Sequence, residues 1–220
     1  MDGKGKVTGP CLCDYVDQSS DESHRYYLAR KNVLEMLRDR GYQVSDEDMN
    51  LSLQEFRTVY GERPDVDRLR LSAQLLSEPT KKVKVIFCGT GTVKVNTVRN
   101  IAAEILSQGT ITGLILILQS HVTNQALKAI ELFSFKVETF QITDLLVNIT
   151  KHVLRPQHRV LNDNEKTALL EKFNIEEKQL PRISKKDSIV RYYGLQKGQV
   201  MKVTYRGELT ELHVAYRCVW

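Results

Sequence analysis

Five consecutive aliphatic residues, Leu114-Ile115-Leu116-Ile117-Leu118, constrain this chain more than any other stretch. A short run with apolar side chains on both faces is the pattern of a strand covered on both sides. It falls far short of the ~20 residues needed to cross a bilayer. Each such side chain, once buried, contributes about 1.5–3 kcal/mol before chain entropy opposes it. A strand of this kind needs helices above and below, and the flanking sequence supplies them. Val83–Phe87 reads as a strand, and Val98, Ile101, Ala102 and Ile105 recur at helical spacing. After the run, Ala126, Leu127 and Ile130 give another helix, and Lys136–Phe140 another strand. Leu69 and Leu71 alternate with Arg70 and Ser72, as in a half-exposed strand. Strand, helix, strand, helix, strand at these spacings predicts a partly parallel α/β sheet with right-handed crossovers.

Two helices are expected ahead of this sheet. The first starts at Ser19-Ser20-Asp21-Glu22, with Glu22 placed as in a capping box. Tyr27, Val33, Leu34 and Leu37 form its apolar face, and Gly41 ends it near Arg40. The second opens at Ser45 with Asp46, Glu47 and Asp48, which suit a helix N-terminus. Met49, Leu53, Phe56 and Tyr60 are its stripe, and Gly61 follows.

From about Asp144 the order changes. Asn162 or Asp163 caps a short helix through Leu169, Leu170 and Phe173. Ser184 or Asp187 starts another, which Gly194 ends, and strands Gln199–Tyr205 and His213–Val219 close the chain. Short helices followed by two strands predict a small α+β domain, which would gain from docking on a partner because small domains bury a smaller share of their surface. Charge follows the same division. The chain carries +5 net, but residues 146–220 hold 14 basic against 8 acidic side chains. That field suits an acidic partner, protein or nucleic acid, and equally a solvated surface.

The cysteines, Cys11, Cys13, Cys88 and Cys218, form no CxxC and lack a zinc-finger His pair, as expected of reduced thiols in an intracellular protein. The N-terminus carries Lys4 and Lys6 with no apolar stretch after them, so no secretory signal is expected. Phe87-Cys88-Gly89-Thr90-Gly91-Thr92 follows a strand as a phosphate loop would. Position 94 is Lys where a dinucleotide fingerprint needs Gly, and no Gly-Lys-Ser/Thr is present, so a plain turn using glycine's positive φ is expected. Arg63-Pro64-Asp65-Val66-Asp67 before a strand has the form of a metal-dependent nuclease site. The strand that follows, Lys82-Val83-Lys84-Val85, offers no acid, leaving too few hard oxygen ligands for a metal. His24, His121, His152, His158 and His213 are scattered, and no Ser or Cys lies in a nucleophile motif. The residues assemble no complete active site, and neither a cofactor nor a metal is expected.

The stretch Leu180-Pro181-Arg182-Ile183, Asp187, Arg191-Tyr192-Tyr193-Gly194 and Gly198-Gln199-Val200 resembles the C-terminal domain of the fifth subunit of eukaryotic nuclear RNA polymerases, a domain with a counterpart in the archaeal enzyme. Met36-Leu37-Arg38-Asp39-Arg40-Gly41-Tyr42 and Leu145-Leu146-Val147-Asn148-Ile149-Thr150 resemble the same subunit's jaw domain. The resemblance runs from about Ser23 to Trp220. Residues 1–20, irregular with Gly3, Gly5, Gly9 and Pro10, fall outside it and are expected to form a flexible extension, while the resemblance implies a jaw domain over 21–145 and an assembly domain over 146–220. The jaw would have a restriction-endonuclease-like α/β sheet with two leading helices and no nuclease site. The assembly domain would be a small α+β unit with a mixed sheet.

By the same resemblance the chain is a non-catalytic nuclear subunit. His121, Thr123, Asn124 and Gln125 lie near downstream duplex DNA. Pro181, Arg182, Asp187, Arg191, Tyr192, Tyr193 and Gly194 dock on the largest subunit. Other polymerase subunits are its further partners; it is neither membrane-bound nor a homo-oligomer. On the residues alone, the two Tyr and the two Gly could equally hold the domain's own core. Three departures, Asp187-Ser188 for Asp-Pro, Thr123-Asn124-Gln125 for Thr-Pro-Ser, and Arg206–Glu211 for a Thr-Ala-Gly turn, resemble the plant variant serving RNA polymerase V in RNA-directed DNA methylation.

Overall fold

The aliphatic run lies in a strand, Gly113–Leu118, whose last five side chains are all buried. The computed structural model describes residues 22–108, 111–206 and 212–220. They divide into two compact units, Met1–Val147 and Asn148–Trp220.

In the first unit, β1 (Leu71–Gln74), β2 (Lys82–Phe87), β3 (Gly113–Leu118) and β4 (Lys136–Gln141) form one sheet in the order β1-β2-β3-β4. β1 is antiparallel to β2, while β2, β3 and β4 are parallel, with Val85 opposite Ile115 and Ile115 opposite Glu138. Side chains alternate between the sheet's faces. Ile86, Leu114, Leu116 and Leu118 meet Val98, Ile101 and Ile105 of α4 (Val95–Gln108) and Ala126 and Ile130 of α5 (Asn124–Glu131). On the other face Phe87 meets Tyr26 of α1 (Glu22–Asp39) edge-on, with ring centroids 6.0 Å apart.

α1 buries Tyr26, Ala29, Val33, Met36 and Leu37, which share one face at steps of three and four. Gly41 takes φ 86°, and the amides of Gly41 and Tyr42 donate to the carbonyls of Arg38 and Leu37, closing the helix as glycine at this position does. The expected start at Ser19 lies outside the described residues.

The single second helix is corrected to two, α2 (Asp46–Asn50) and α3 (Leu53–Tyr60). Leu51 takes ψ 127°, which breaks the helical path, and Ser52 starts α3 through a reciprocal capping box with Glu55. Ser45 makes no side-chain cap bond. Three helices therefore precede the sheet among the described residues. Leu127, expected on the buried stripe of α5, is 42% exposed, because this short helix buries only Ala126 and Ile130.

In the second unit, β5 (Gln157–Val160), β7 (Val200–Tyr205), β8 (His213–Val219) and β6 (Arg182–Ile183) form a mixed sheet in that order. β6 runs parallel to β8, and the other pairs are antiparallel. The two strands expected from sequence are thus joined by two more. β5 reads as polar and β6 spans two residues, so neither has a hydrophobic period of its own. Helix α6 (Asp163–Phe173) starts in a capping box between Asn162 and Glu165 and contributes Leu169 to a core with Leu161, Leu180, Val200 and Cys218. Helix α7 (Ser188–Tyr193) follows β6. The turn expected at residues 207–211 lies outside the described residues.

Candidate functional site

The former nuclease and phosphate-loop candidates converge at the end of β2, around a cavity of about 390 Å3 lined by Asp67, Arg70, Cys88, Gly89, Thr97 and Glu104 among others. The acids there are already engaged. Asp65 Oδ1 accepts the Asp67 amide at 3.1 Å, and Arg70 bridges Asp67 and Glu104. Lys84 Nζ donates to Glu104 Oε1 at 2.7 Å. That bond, joined by those from Arg70, outweighs burial and holds the Glu104 carboxyl below the usual carboxylate range. The network ties α4 to β2 and balances two carboxylates with two cations.

Among the described residues no group of three His, Cys, Asp or Glu side chains is placed to hold a metal ion. Burial pushes the Cys88 thiol up to about 11, so it is protonated at neutral pH and is a poor nucleophile. Neither Gly89 nor Gly91 uses positive φ, which corrects the expected reason for their presence in this turn.

His121, Thr123, Asn124 and Gln125 come together where β3 leads into α5. Thr123 caps α5, its hydroxyl accepting the Ala126 amide at 3.3 Å. The Thr123 amide donates to Val93 O at 3.1 Å, and the Val93 amide to His121 O at 3.2 Å, stitching this loop to the one after β2. His121, Asn124 and Gln125 are exposed, while Thr123 is half-buried by its cap. Asn124 occupies the first helical position, where proline is also favoured. The Thr123 cap sets the backbone there, so Asn124 follows a path that proline could also take. Exposed Lys94, next to Val93, flanks the loop and was missed in the sequence because it read only as a failed glycine.

The docking candidates divide by role. Asp187 caps α7, its Oδ1 accepting the Ile189 amide at 2.9 Å. Gly194 ends the same helix at φ 64°. Tyr192 is buried and meets Tyr193 edge-on at 5.2 Å. These three build the element more than they face outward. Arg191 and Tyr193 are half-buried, and Arg155 Nη2 donates to Tyr193 OH at 3.4 Å. Pro181 is exposed, and its carbonyl accepts the Cys218 amide at 2.8 Å. The exposed Arg182 guanidinium lies 3.9 Å from the centre of the Trp220 ring, with Lys197 Nζ at 4.6 Å from the same ring. The roles of Arg155 and Trp220 have no local sequence signal; they arise from pairing across the sheet and loops.

His158 lies on β5, where burial first and then the Arg155 charge favour its neutral form. No described helix is long and apolar enough to cross a membrane.

Residues 20–105 match the family model described as RNA polymerase Rpb5, N-terminal domain, and residues 147–219 match RNA polymerase Rpb5, C-terminal domain. The chain is 77% identical to "DNA-directed RNA polymerase V subunit 5A" of Arabidopsis thaliana, with 100% of each chain covered. It is 68% identical to the same plant's "DNA-directed RNA polymerases IV and V subunit 5B", again over 100% of each. Against "DNA-directed RNA polymerases I, II, and III subunit RPABC1" of Caenorhabditis elegans the identity is 32%, over 90% of this chain and 97% of the other. Matched at both ends and alike along its whole length to polymerase subunits, the chain belongs to the Rpb5 family, a non-catalytic subunit of DNA-directed RNA polymerases.

Proposed function

We propose that the chain is the fifth subunit of a plant RNA polymerase V and acts in the nucleus, in RNA-directed DNA methylation and gene silencing. The observation that carries this reading is the end-to-end 77% identity to the polymerase V subunit, against 32% to the subunit shared by polymerases I, II and III. In this reading residues 21–145 form a jaw with a restriction-endonuclease-like sheet beside downstream DNA. The exposed His121, Asn124 and Gln125, with Lys94 beside them, face the duplex. DNA contact is an effect of placement by larger subunits, since residues 1–145 carry 18 basic against 19 acidic side chains and generate little field. Residues 146–220 form the assembly domain, and its α7 region docks on the largest subunit. The ion-paired acids around Arg70 support a role without chemistry of its own.

Affinity purification of the tagged full-length chain from plant cells, followed by mass spectrometry, tests the reading. The expected result is recovery of the polymerase V largest subunit. Recovery of the polymerase II largest subunit in its place would assign the chain to the shared enzymes. Recovery of no large polymerase subunit would leave a free-standing DNA-binding protein.

A further inference from the structure

Between the 3₁₀ turn Ile149–Lys151 and β5, the chain makes a tight turn that presents two aliphatic side chains to solvent, Val153 at 95% and Leu154 at 85% exposure. Single exposed apolar residues are ordinary on a soluble protein. This pair differs because its backbone is held in place. The Arg155 amide donates to His152 O at 3.0 Å, and the Leu154 amide donates to His152 Nδ1 at 3.2 Å. The Arg155 guanidinium then ties the turn down, donating to Thr150 O at 2.8 Å and to Tyr193 OH at 3.4 Å on α7. Thr150 is fixed in turn by Asn148, whose Oδ1 accepts its amide at 2.8 Å. The result is a rigid apolar tip, and rigid tips lose little entropy on insertion into a partner.

We propose that Val153 and Leu154 are the apolar anchor of the docking surface, inserted into an apolar socket with a carboxylate rim on another polymerase subunit; this rests on the reading of the chain as a polymerase subunit. The surroundings select that chemistry. Lys151 and Arg155 flank the tip in sequence, and Asp187, the nearest acid in sequence to α7, is occupied as its cap. Residues 146–220 carry 14 basic against 8 acidic side chains, so a second copy of this chain would meet like charge, whereas an acidic rim is attracted. Two side chains are too few for a membrane anchor. They are also too few for a whole interface, which buries about 800 Å2 on each partner. The half-exposed Tyr193, bonded to Arg155 of the turn, extends the same surface.

The test compares tagged full-length wild type with Val153→Asp/Leu154→Asp and with Val153→Ala/Leu154→Ala in plant cells. Each purified chain is also melted and weighed by light scattering. The expected result is a melting temperature within about 2 °C of wild type for both variants, because neither side chain is packed. Recovery of the large polymerase subunits falls about tenfold for the Asp variant and less for the Ala variant. Wild-type recovery by both variants overturns the anchor while leaving the polymerase reading intact. Failure of wild type itself to recover them overturns that reading instead. A large drop in melting temperature assigns the pair to the fold's own packing, and a wild-type dimer abolished by the variants assigns the tip to a second copy; either result overturns the anchor.

Discussion

Arg40 and Glu138 show how a single pair sets the first unit's dependence on pH. Arg40 Nη1 and Nη2 donate to the two Glu138 oxygens at 3.2 and 2.8 Å, on the face of the sheet opposite α4. Burial alone would push the Glu138 carboxyl up. The Arg40 charge and its two bonds, helped by Lys136, outweigh that and hold it below its ordinary 4.5. A carboxyl depressed in the folded state contributes stability above its unfolded value and loses it as pH falls through the folded one. Arg40→Ala should therefore cost about 3–5 kcal/mol at pH 7, by leaving a buried charge without its main partner. Without Arg40 the carboxyl is held down by Lys136 alone and protonates more readily, so the gap between the two proteins should narrow as pH falls below neutrality. Urea unfolding at pH 7 and at about pH 4.5 measures both gaps, and a gap of constant size would contradict the account. None of this is visible in the sequence, where Arg40 and Glu138 lie 98 positions apart. Gly41, by contrast, was legible, since a glycine after an apolar helical stripe has one common use.

At the scale of elements, the caps make contrasting predictions. Ser52→Ala should destabilise the chain by about 1 kcal/mol, since its hydroxyl belongs to a reciprocal capping box. Ser45→Ala should change little, since its side chain caps nothing. Equal effects in thermal melts would contradict this assignment. Ser188 is the first residue of α7, behind the Asp187 cap. Proline is pre-organised for that position, so Ser188→Pro should leave stability unchanged or raise it by about 0.4–1 kcal/mol. Loss of stability in the same melt would show that the Ser188 amide is needed. The elements with a strong period were legible: the aliphatic β3, the helices beside it and the partly parallel character of the sheet. Three features were not. The break at Leu51 hides inside one continuous apolar stripe. β5 and β6 are a polar strand and a two-residue strand, and both exist because β7 and β8 offer them free edges. The stretch around α7 was legible as a motif, yet Asp187, Tyr192 and Gly194 go chiefly into making the helix.

On the scale of the whole molecule, charge is divided unevenly along the chain. Residues 1–145 carry 18 basic against 19 acidic side chains and 146–220 carry 14 against 8. The purified full-length chain should bind duplex DNA with a dissociation constant no tighter than about 10⁻⁶ M at physiological salt, as non-specific contacts do. Nanomolar binding in a filter or anisotropy assay would favour an independent DNA-binding protein. The proposed role requires that the second unit carry the chain into the polymerase. Amine cross-linking with mass spectrometry, applied to the enzyme purified through the tagged full-length chain, tests it most directly. Lys151, Lys185 and Lys186, exposed around the turn and α7, should link to the largest subunit. If all links to other subunits come instead from lysines of residues 1–147, the second unit is not the docking element and the account is contradicted.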